Sequence, residues 1–467
     1  MRTVLGPCLL FFLSALAARG EVYRFTLEQA VAYGLQNSVA VKSKALALAA
    51  AKQDLAAARA GYYPSLSAGL SYTHLFEQPR SEAAVLPANA FGPGNPPADV
   101  PLFPKSYLAA ADPITLSANL SQTLYSFGKL KGGVKLAEQA AAQAALDLQE
   151  ETRKTALLIQ RAFYGYLLAL EVQGINRETL ERKQEALEVA RKRYAAGLAA
   201  DYEVLKAESD LESYRATVIG SDNAVRIALL NVRNALGIRE EDFQFELVGK
   251  LEPLEQRFDA QELQARALER RYELASLRKS IETLKIQGQL NRSLALPTLS
   301  GFVGYSLKSG FDALTGKNEY FSAEAWDGTW TAGLSLNVSV SALLPWSKES
   351  AAVRKTALQL QNLQQQYQSL ESGVLLGVQT ALLKIAEQQA KIASGRKSVE
   401  LAERLYESAD EQYRSGYISS TDLKDAQLGL AGAQLAYAQA VYGYNQNVLD
   451  LMEAAGLEGV KIHEEGR

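Results

Sequence analysis

The chain repeats itself. Shifted by 219 residues, Tyr194, Gly197 and Ala207 fall on Tyr413, Gly416 and Ala426, while Leu124, Val134 and Gly237 fall on Leu343, Val353 and Gly456. The register holds without a gap from about residue 115 to 237. Upstream the offset becomes 233, pairing Phe25 with Phe258, Pro64 with Pro297 and Leu66 with Leu299. The extra 14 residues form an insertion in the first copy between Pro64 and Thr115. One supersecondary unit is therefore used twice, over residues 21–257 and 258–467, behind a leading segment 1–20.

Each copy reads helix, two strands, long helix, break, shorter helix. In the first strand Leu66, Ala68, Leu70 and Tyr72 alternate with Ser65, Ser67, Gly69, Ser71 and Thr73; in the second, Ile114, Leu116, Ala118 and Leu120 oppose Thr115, Ser117, Asn119 and Ser121. The second copy repeats this with Leu299, Val303, Tyr305 and Leu307. In its other strand Ala332, Leu334, Leu336, Val338 and Val340 oppose Gly333, Ser335, Asn337, Ser339 and Ser341. A half-buried strand of a water-soluble sandwich alternates in the same way. Three details favour a membrane barrel: lengths near the ~9–11 residues that span a bilayer, uncharged polar faces, and Tyr62, Tyr63, Tyr125, Phe127, Trp330 and Trp346 near the strand ends, where an interfacial girdle is expected. Four strands are too few to close a barrel, since the smallest have about eight. Copies of the chain must then share the edges, and two, three or four of them would supply eight, twelve or sixteen strands.

The leading residues fit that destination. Arg2, an apolar run to Ala18 and small residues at Ala15 and Ala17 read as a secretory signal. Cys8, the chain's only cysteine, lies within it, so the exported chain is expected to be cysteine-free. A net charge of −3 among 467 residues gives no sign of a nucleic-acid surface.

Residues 129–195 contain no proline and are rich in Ala, Leu, Glu, Gln, Lys and Arg. They predict one helix of about 100 Å at ~1.5 Å per residue, and segments 201–236 and 259–294 predict helices of about 54 Å each. Two such halves stacked end to end would match the long one, with their junction at 237–258 at mid-height. Helices of this length need lateral partners, and the alanine-rich "AEQAAAQAALDL" suits close coiled-coil-like packing.

The order of "TLEQAVAYGLQNS", "AAARAGYYPSLS", a strand pair ending "LYSFGKLKGG" and a twice-used Y-x-x-G-x-x-x-x-x-[DE]-[VL]-x-x-A resembles the TolC-type outer-membrane efflux proteins over essentially the whole exported chain. The resemblance implies a mainly α fold with a membrane β-barrel. Three copies would form a 12-stranded β-barrel, four strands per chain, continuous with a 12-helix periplasmic α-barrel. It also implies a passive outer-membrane exit duct for a tripartite efflux pump or type I secretion system. Its partners would be two further copies, outer-membrane lipid, a periplasmic adaptor (membrane fusion protein) and an inner-membrane pump.

Gly197 and Gly416 are placed to end the descending helices, with Asp201 and Ser420 as caps of the ascending ones. The resemblance implies that these hairpins are the periplasmic tips, where Tyr194, Gly197, Leu198, Tyr413, Gly416 and Tyr417 dock the adaptor. Asp422 and Asp425, three apart on one helical face, match acids that ring the pore entrance, and Glu203 and Tyr413 match members of a network holding the helices shut. Acids in a first helical turn also complement the helix dipole with no further role. The family's tip arginine falls on Ile418, with Arg414 nearby to take its part.

No catalytic, cofactor or metal-binding constellation stands out. Only His74 and His463 supply imidazoles, and "FGPGNPP" at 91–97 opens no phosphate-binding turn but belongs to a long 77–111 connection, read as an extracellular loop. The competing expectation is a secreted coiled-coil fibre or spacer that encloses no channel.

Overall fold

The computed structural model describes residues 23–80, 84–85, 101–103, 106, 108–109, 111–239, 245–254, 258–312, 317–321 and 326–457. The leading segment, most of the 77–111 connection and His463 lie outside them. Helix dominates, and the duplication is visible residue for residue. Helices α1 (Leu27–Asn37) and α2 (Val39–Ala60) of the first copy match α5 (Ala260–Arg270) and α6 (Tyr272–Ser293) of the second. Helix α3 (Lys129–Ala195) and α7 (Lys348–Arg414) each have 67 residues. Helix α4 (Asp201–Ala235) and α8 (Ser420–Ala454) each have 35.

Two findings correct the expected helices. Segment 259–294 is not one helix: it breaks at Arg271, whose ψ of 123° is extended, and the first copy breaks at the equivalent Ser38, with ψ of 120°. The ascending helices also do not stack as expected. A side chain at Gly237, just past α4, would lie 3.2 Å from the Asn37 carbonyl at the α1–α2 break; one at Gly456, past α8, would lie 2.9 Å from Arg270 at the α5–α6 break. Each ascending helix therefore meets the broken helix of its own copy.

The chain divides into two compact units. One comprises Ala49–Ala142 and Lys279–Gln364. Its sheet runs β2 (Ser65–Tyr72), β5 (Ile114–Tyr125), β7 (Thr298–Phe311), β9 (Trp326–Asn337), all antiparallel. Minor pairings are β3 (Ala84–Val85) with β4 (Pro101–Phe103), and β8 (Asn318–Glu319) with the end of β7. The register assembles apolar rows across the four strands: Leu66–Leu120–Val303–Ala332, Ala68–Ala118–Tyr305–Trp330 and Leu70–Leu116–Leu307–Gly328. Leu66, Leu70, Leu116, Leu120, Val303 and Trp330 are nonetheless exposed. The last strand ends earlier than its alternation suggests. It stops at Asn337, opposite Thr298 where β7 begins, and Val340–Leu343 form a 3-10 turn. It also begins earlier, at Trp326, so Trp330 lies within the strand against Tyr305, ring centroids 4.8 Å apart, rather than at its end.

The second unit holds the chain up to Leu48, Gln143–Arg278 and Gln365 onward. Its core joins Leu27 and Ala30 of α1, Leu157, Ile159 and Phe163 of α3, Val378 and Ile385 of α7, and Tyr444, Val448 and Leu449 of α8. Short strands β1 (Tyr23–Phe25) and β6 (Phe245–Leu247) pair in parallel beside it. Removing a buried leucine or isoleucine from such a core costs about 2–5 kcal/mol.

Candidate functional site: the two helical tips

Both long helices end in the same device. The N–H of Gly197 donates to the Tyr194 carbonyl (2.9 Å) and that of Leu198 to Arg193 (2.8 Å). The N–H of Gly416 likewise donates to Tyr413 (3.0 Å) and that of Tyr417 to Gln412 (2.9 Å). This double closure requires a left-handed residue, and Gly197 (φ 75°) and Gly416 (φ 83°) supply it.

The ascending helices begin at the residues expected to cap them, so the caps lie one residue earlier. Ala200 and Ser419 hold the extended cap position, and Asp201 and Ser420 are the first helical residues. The two copies differ here in a way that sets the chemistry of the acids. The Ser419 hydroxyl accepts from the Asp422 N–H (3.3 Å), and the Asp422 carboxylate accepts from the Ser419 N–H (3.0 Å) and hydroxyl (2.7 Å). This reciprocal capping box holds the Asp422 carboxyl below its usual range, first through the Ser419 hydroxyl, then through the backbone bond, with Lys206 adding to it. Ala200 has no hydroxyl, so Glu203, the counterpart of Asp422, is not drawn into a cap. One Glu203 carboxylate oxygen is buried with no hydrogen-bond partner among the described residues.

Tyr413 is the centre of the tip's interior. It is 2% exposed and packs with Ala409, Leu423 and Ala426. Burial pushes its hydroxyl up and the Glu203 charge adds to this, while Arg193 opposes it. No hydrogen bond joins Glu203 to Tyr413 among the described residues, so their coupling is electrostatic. The outer surface belongs to Tyr194, Leu198 (72% exposed) and Tyr417 (83% exposed). Asp422 and Asp425 both lie exposed on one face of α8. The sequence thus brings Tyr194, Gly197 and Leu198 to one tip, Gly416, Tyr417, Asp422 and Asp425 to the other, and Glu203 beside Tyr413.

The residues that join the two hairpins escaped the sequence reading. The Arg193 guanidinium lies 5.0 Å from the Tyr413 ring centroid and donates to the Tyr413 carbonyl (3.2 Å). The Lys206 ammonium donates to the Thr421 hydroxyl (2.6 Å), and Lys424 pairs with Asp210 (2.6 Å). Arg414, the sequence candidate for the tip arginine, is instead held by Asp410 (2.7 Å) and Glu185 (3.8 Å). Behind these contacts the Lys183 ammonium faces the Tyr214 ring at 5.3 Å, and burial pushes it down despite Asp210. The sequence signal was available. At the 219 offset Arg193, Lys206 and Asp210 align with Gln412, Asp425 and Gly429, and loss or reversal of charge between the two copies marks positions where their contacts differ.

Residues 33–238 and 263–457, one stretch in each copy, match the family model of the outer membrane efflux protein. Among solved structures the chain is similar to the Campylobacter jejuni outer membrane channel CmeC, with TM-score 0.71 and 18% identity over 92% of this chain and 85% of that one. It is similar to the Vibrio cholerae outer membrane protein VceC, with TM-score 0.68 and 18% identity over 92% and 96%. The open state of the Neisseria gonorrhoeae outer membrane channel MtrE gives TM-score 0.67 and 15% identity over 92% and 89%. The fusaric acid resistance protein FusA of Burkholderia cepacia is 30% identical over 114 residues, which is 24% of this chain and 22% of FusA.

Proposed function

Because this chain belongs to the outer membrane efflux protein family, we propose that three copies form the passive exit duct of a tripartite efflux pump or type I secretion system. The observation that carries the reading is the sheet. It is a single antiparallel layer with an exposed apolar face and, among the described residues, with two strands, β2 and β9, each paired on one side only. No helix among the described residues is long and apolar enough to cross a membrane. An apolar sheet face suits lipid, and open edges are tolerated in a bilayer only when a barrel closes them. Pairing β9 of each copy with β2 of the next satisfies both demands, and three copies bring twelve strands together.

The helices then continue the wall into the periplasm. The tips offer Tyr194, Leu198 and Tyr417 to a periplasmic adaptor, with Gly197 and Gly416 shaping the turns. Asp422 and Asp425 ring the entrance, while Glu203 and Tyr413 bear on its closure. Energy comes from an inner-membrane pump, and the duct itself is a transport channel, not an enzyme. Kinship with a protein named for fusaric acid resistance supports a resistance pump as the system served. That MtrE was captured in an open state supports a gated duct.

Ion conductance of the purified protein in a planar bilayer tests the reading. Discrete, cation-preferring channels are expected, and a preparation that inserts yet never conducts would leave a fibre or spacer.

A further inference from the structure

We propose that each chain binds one monatomic, monovalent anion of the chloride class in a small cavity between α3, α4 and α8, where Lys183, Lys206 and Lys424 converge. Every residue of the site comes from a single chain, so it stands or falls independently of the ring of copies and of the duct.

The cavity measures about 30 Å³. That suits one or two species the size of a water molecule and is small for phosphate, sulfate or an organic anion. Three cations line it, and the carboxylate supply falls short by one. The Lys424 ammonium pairs with Asp210 (2.6 Å), the one carboxylate in the lining. The Lys206 ammonium donates to the Thr421 hydroxyl (2.6 Å) and has the Asp422 carboxylate within electrostatic reach. Lys183 is buried, and among the described residues it has neither a hydrogen bond nor an ion pair. One unpaired cation calls for one monovalent counter-ion.

The surroundings suit an anion better than a water molecule. The Lys183 ammonium faces the Tyr214 ring at 5.3 Å, an arrangement that favours its charged form. That ring is fixed by its hydroxyl, which donates to Asn176 (2.9 Å). Burial nevertheless pushes the ammonium down; Asp210 opposes this, and the neighbouring Lys424 adds to it. A buried charge is kept only when it is paired, and an anion placed here pairs Lys183 while screening it from Lys424. Ser420, the first residue of α8, also borders the cavity, so the positive end of that helix adds to the field. The repeat limits the site to one per chain. At the 219 offset Lys183, Lys206 and Lys424 fall on Ala402, Asp425 and Leu205, none of them cationic.

The test uses bromide as the probe. Crystals of the full exported chain grown in sodium bromide and measured at the bromine edge should show one anomalous peak per chain within hydrogen-bonding reach of the Lys183 ammonium. Lys183→Met keeps the aliphatic stem and should lose that peak. In solution, gluconate should replace chloride at equal ionic strength. Hydrogen exchange in peptides spanning Lys183 and Lys424 should then quicken by about tenfold, relative to chloride at about ten times its dissociation constant. Lys183→Met should show no such dependence on the anion. The wild-type peak and the chloride–gluconate comparison decide the matter even if Lys183→Met does not fold. A water alone at this place, a peak that survives in Lys183→Met, or wild-type exchange indifferent to the anion would overturn the proposal.

Discussion

Replacing Tyr413 separates packing from hydroxyl chemistry at the tip. Its buried ring is walled by Ala409, Leu423 and Ala426, with Ala186, Val189, Tyr406 and Ile418 beside them. The alanine walls cannot close over a vacated ring, so Tyr413→Ala should cost about 3–5 kcal/mol locally, with the lost cation–π contact to Arg193 adding roughly 0.5–1 kcal/mol. Tyr413→Phe keeps the ring, the stacked guanidinium and the carbonyl that accepts from Arg193. It removes only a hydroxyl whose polar neighbours are Arg193 and Glu203, a change of about 0.5–1.5 kcal/mol. At roughly 1.4 kcal/mol per factor of ten, amides of the second tip should exchange with deuterium more than about a hundredfold faster in the alanine variant and at most about tenfold faster in the phenylalanine variant. Mass-spectrometric hydrogen exchange of peptides spanning the Tyr413–Asp425 turn reads both. Equal deprotection by the two variants would refute the packing argument and make the hydroxyl's coupling to Glu203 the dominant hold.

Ser419→Ala removes the cap hydroxyl and should lower local stability of the α8 start by about 1 kcal/mol, with no counterpart effect from Ala200→Ser beyond a small gain, both read by the same exchange measurement. Because the Asp422 carboxyl is depressed in the folded tip, its contribution is present above the unfolded value near 3.9 and is lost as pH falls through the lower folded value. Exchange protection from this source should therefore be flat from neutral pH to about 5 and fall below about 4, and Asp422→Asn should remove the step. Gly197→Glu meets no atom within 4 Å of the new Cβ, so its cost is the left-handed backbone, about 1–2 kcal/mol; export should be lost while assembly and insertion persist, and normal export would remove this turn from the adaptor surface. Asp422→Ala/Asp425→Ala should greatly weaken block by trivalent cations from the periplasmic side, since crowded carboxylates favour a multivalent counter-ion; undiminished block in a bilayer recording would leave these acids as helix-terminal charges.

The long helices were legible because nothing in 129–195 competes with helix and Gly197 ends it unambiguously; the same glycine logic fixed the second tip. Strands β2 and β5 were legible from alternation over uncharged polar residues, and β7 from its apolar face, although its other face carries Phe302 and Lys308, the latter opposite Asp327 of β9. The end of β9 was not, because alternation in "NVSVS" continues after its partner strand has run out at Thr298. The breaks at Ser38 and Arg271 carry no proline or glycine. At Ser38 the hydroxyl accepts from the Val41 N–H (3.3 Å) and caps α2; at Arg271 the guanidinium donates to the Glu453 carbonyl and pairs with Glu273 at 2.7 Å, where the end of α8 arrives. At the tips, residue types revealed the turns and the acids, whereas Arg193, Lys206 and Lys424 look like ordinary solvated charges until the two copies are compared position by position. The Ser419–Asp422 box was missed by one residue because Ser419, Ser420 and Thr421 can all cap and only the backbone selects among them.

The central claim is that four strands per chain are closed by other copies of the same chain, and the mass of the detergent-solubilised native assembly tests it most directly. Three times the mass of the exported chain is the result the account predicts. A monomer, or a filament that forms without detergent, would contradict it.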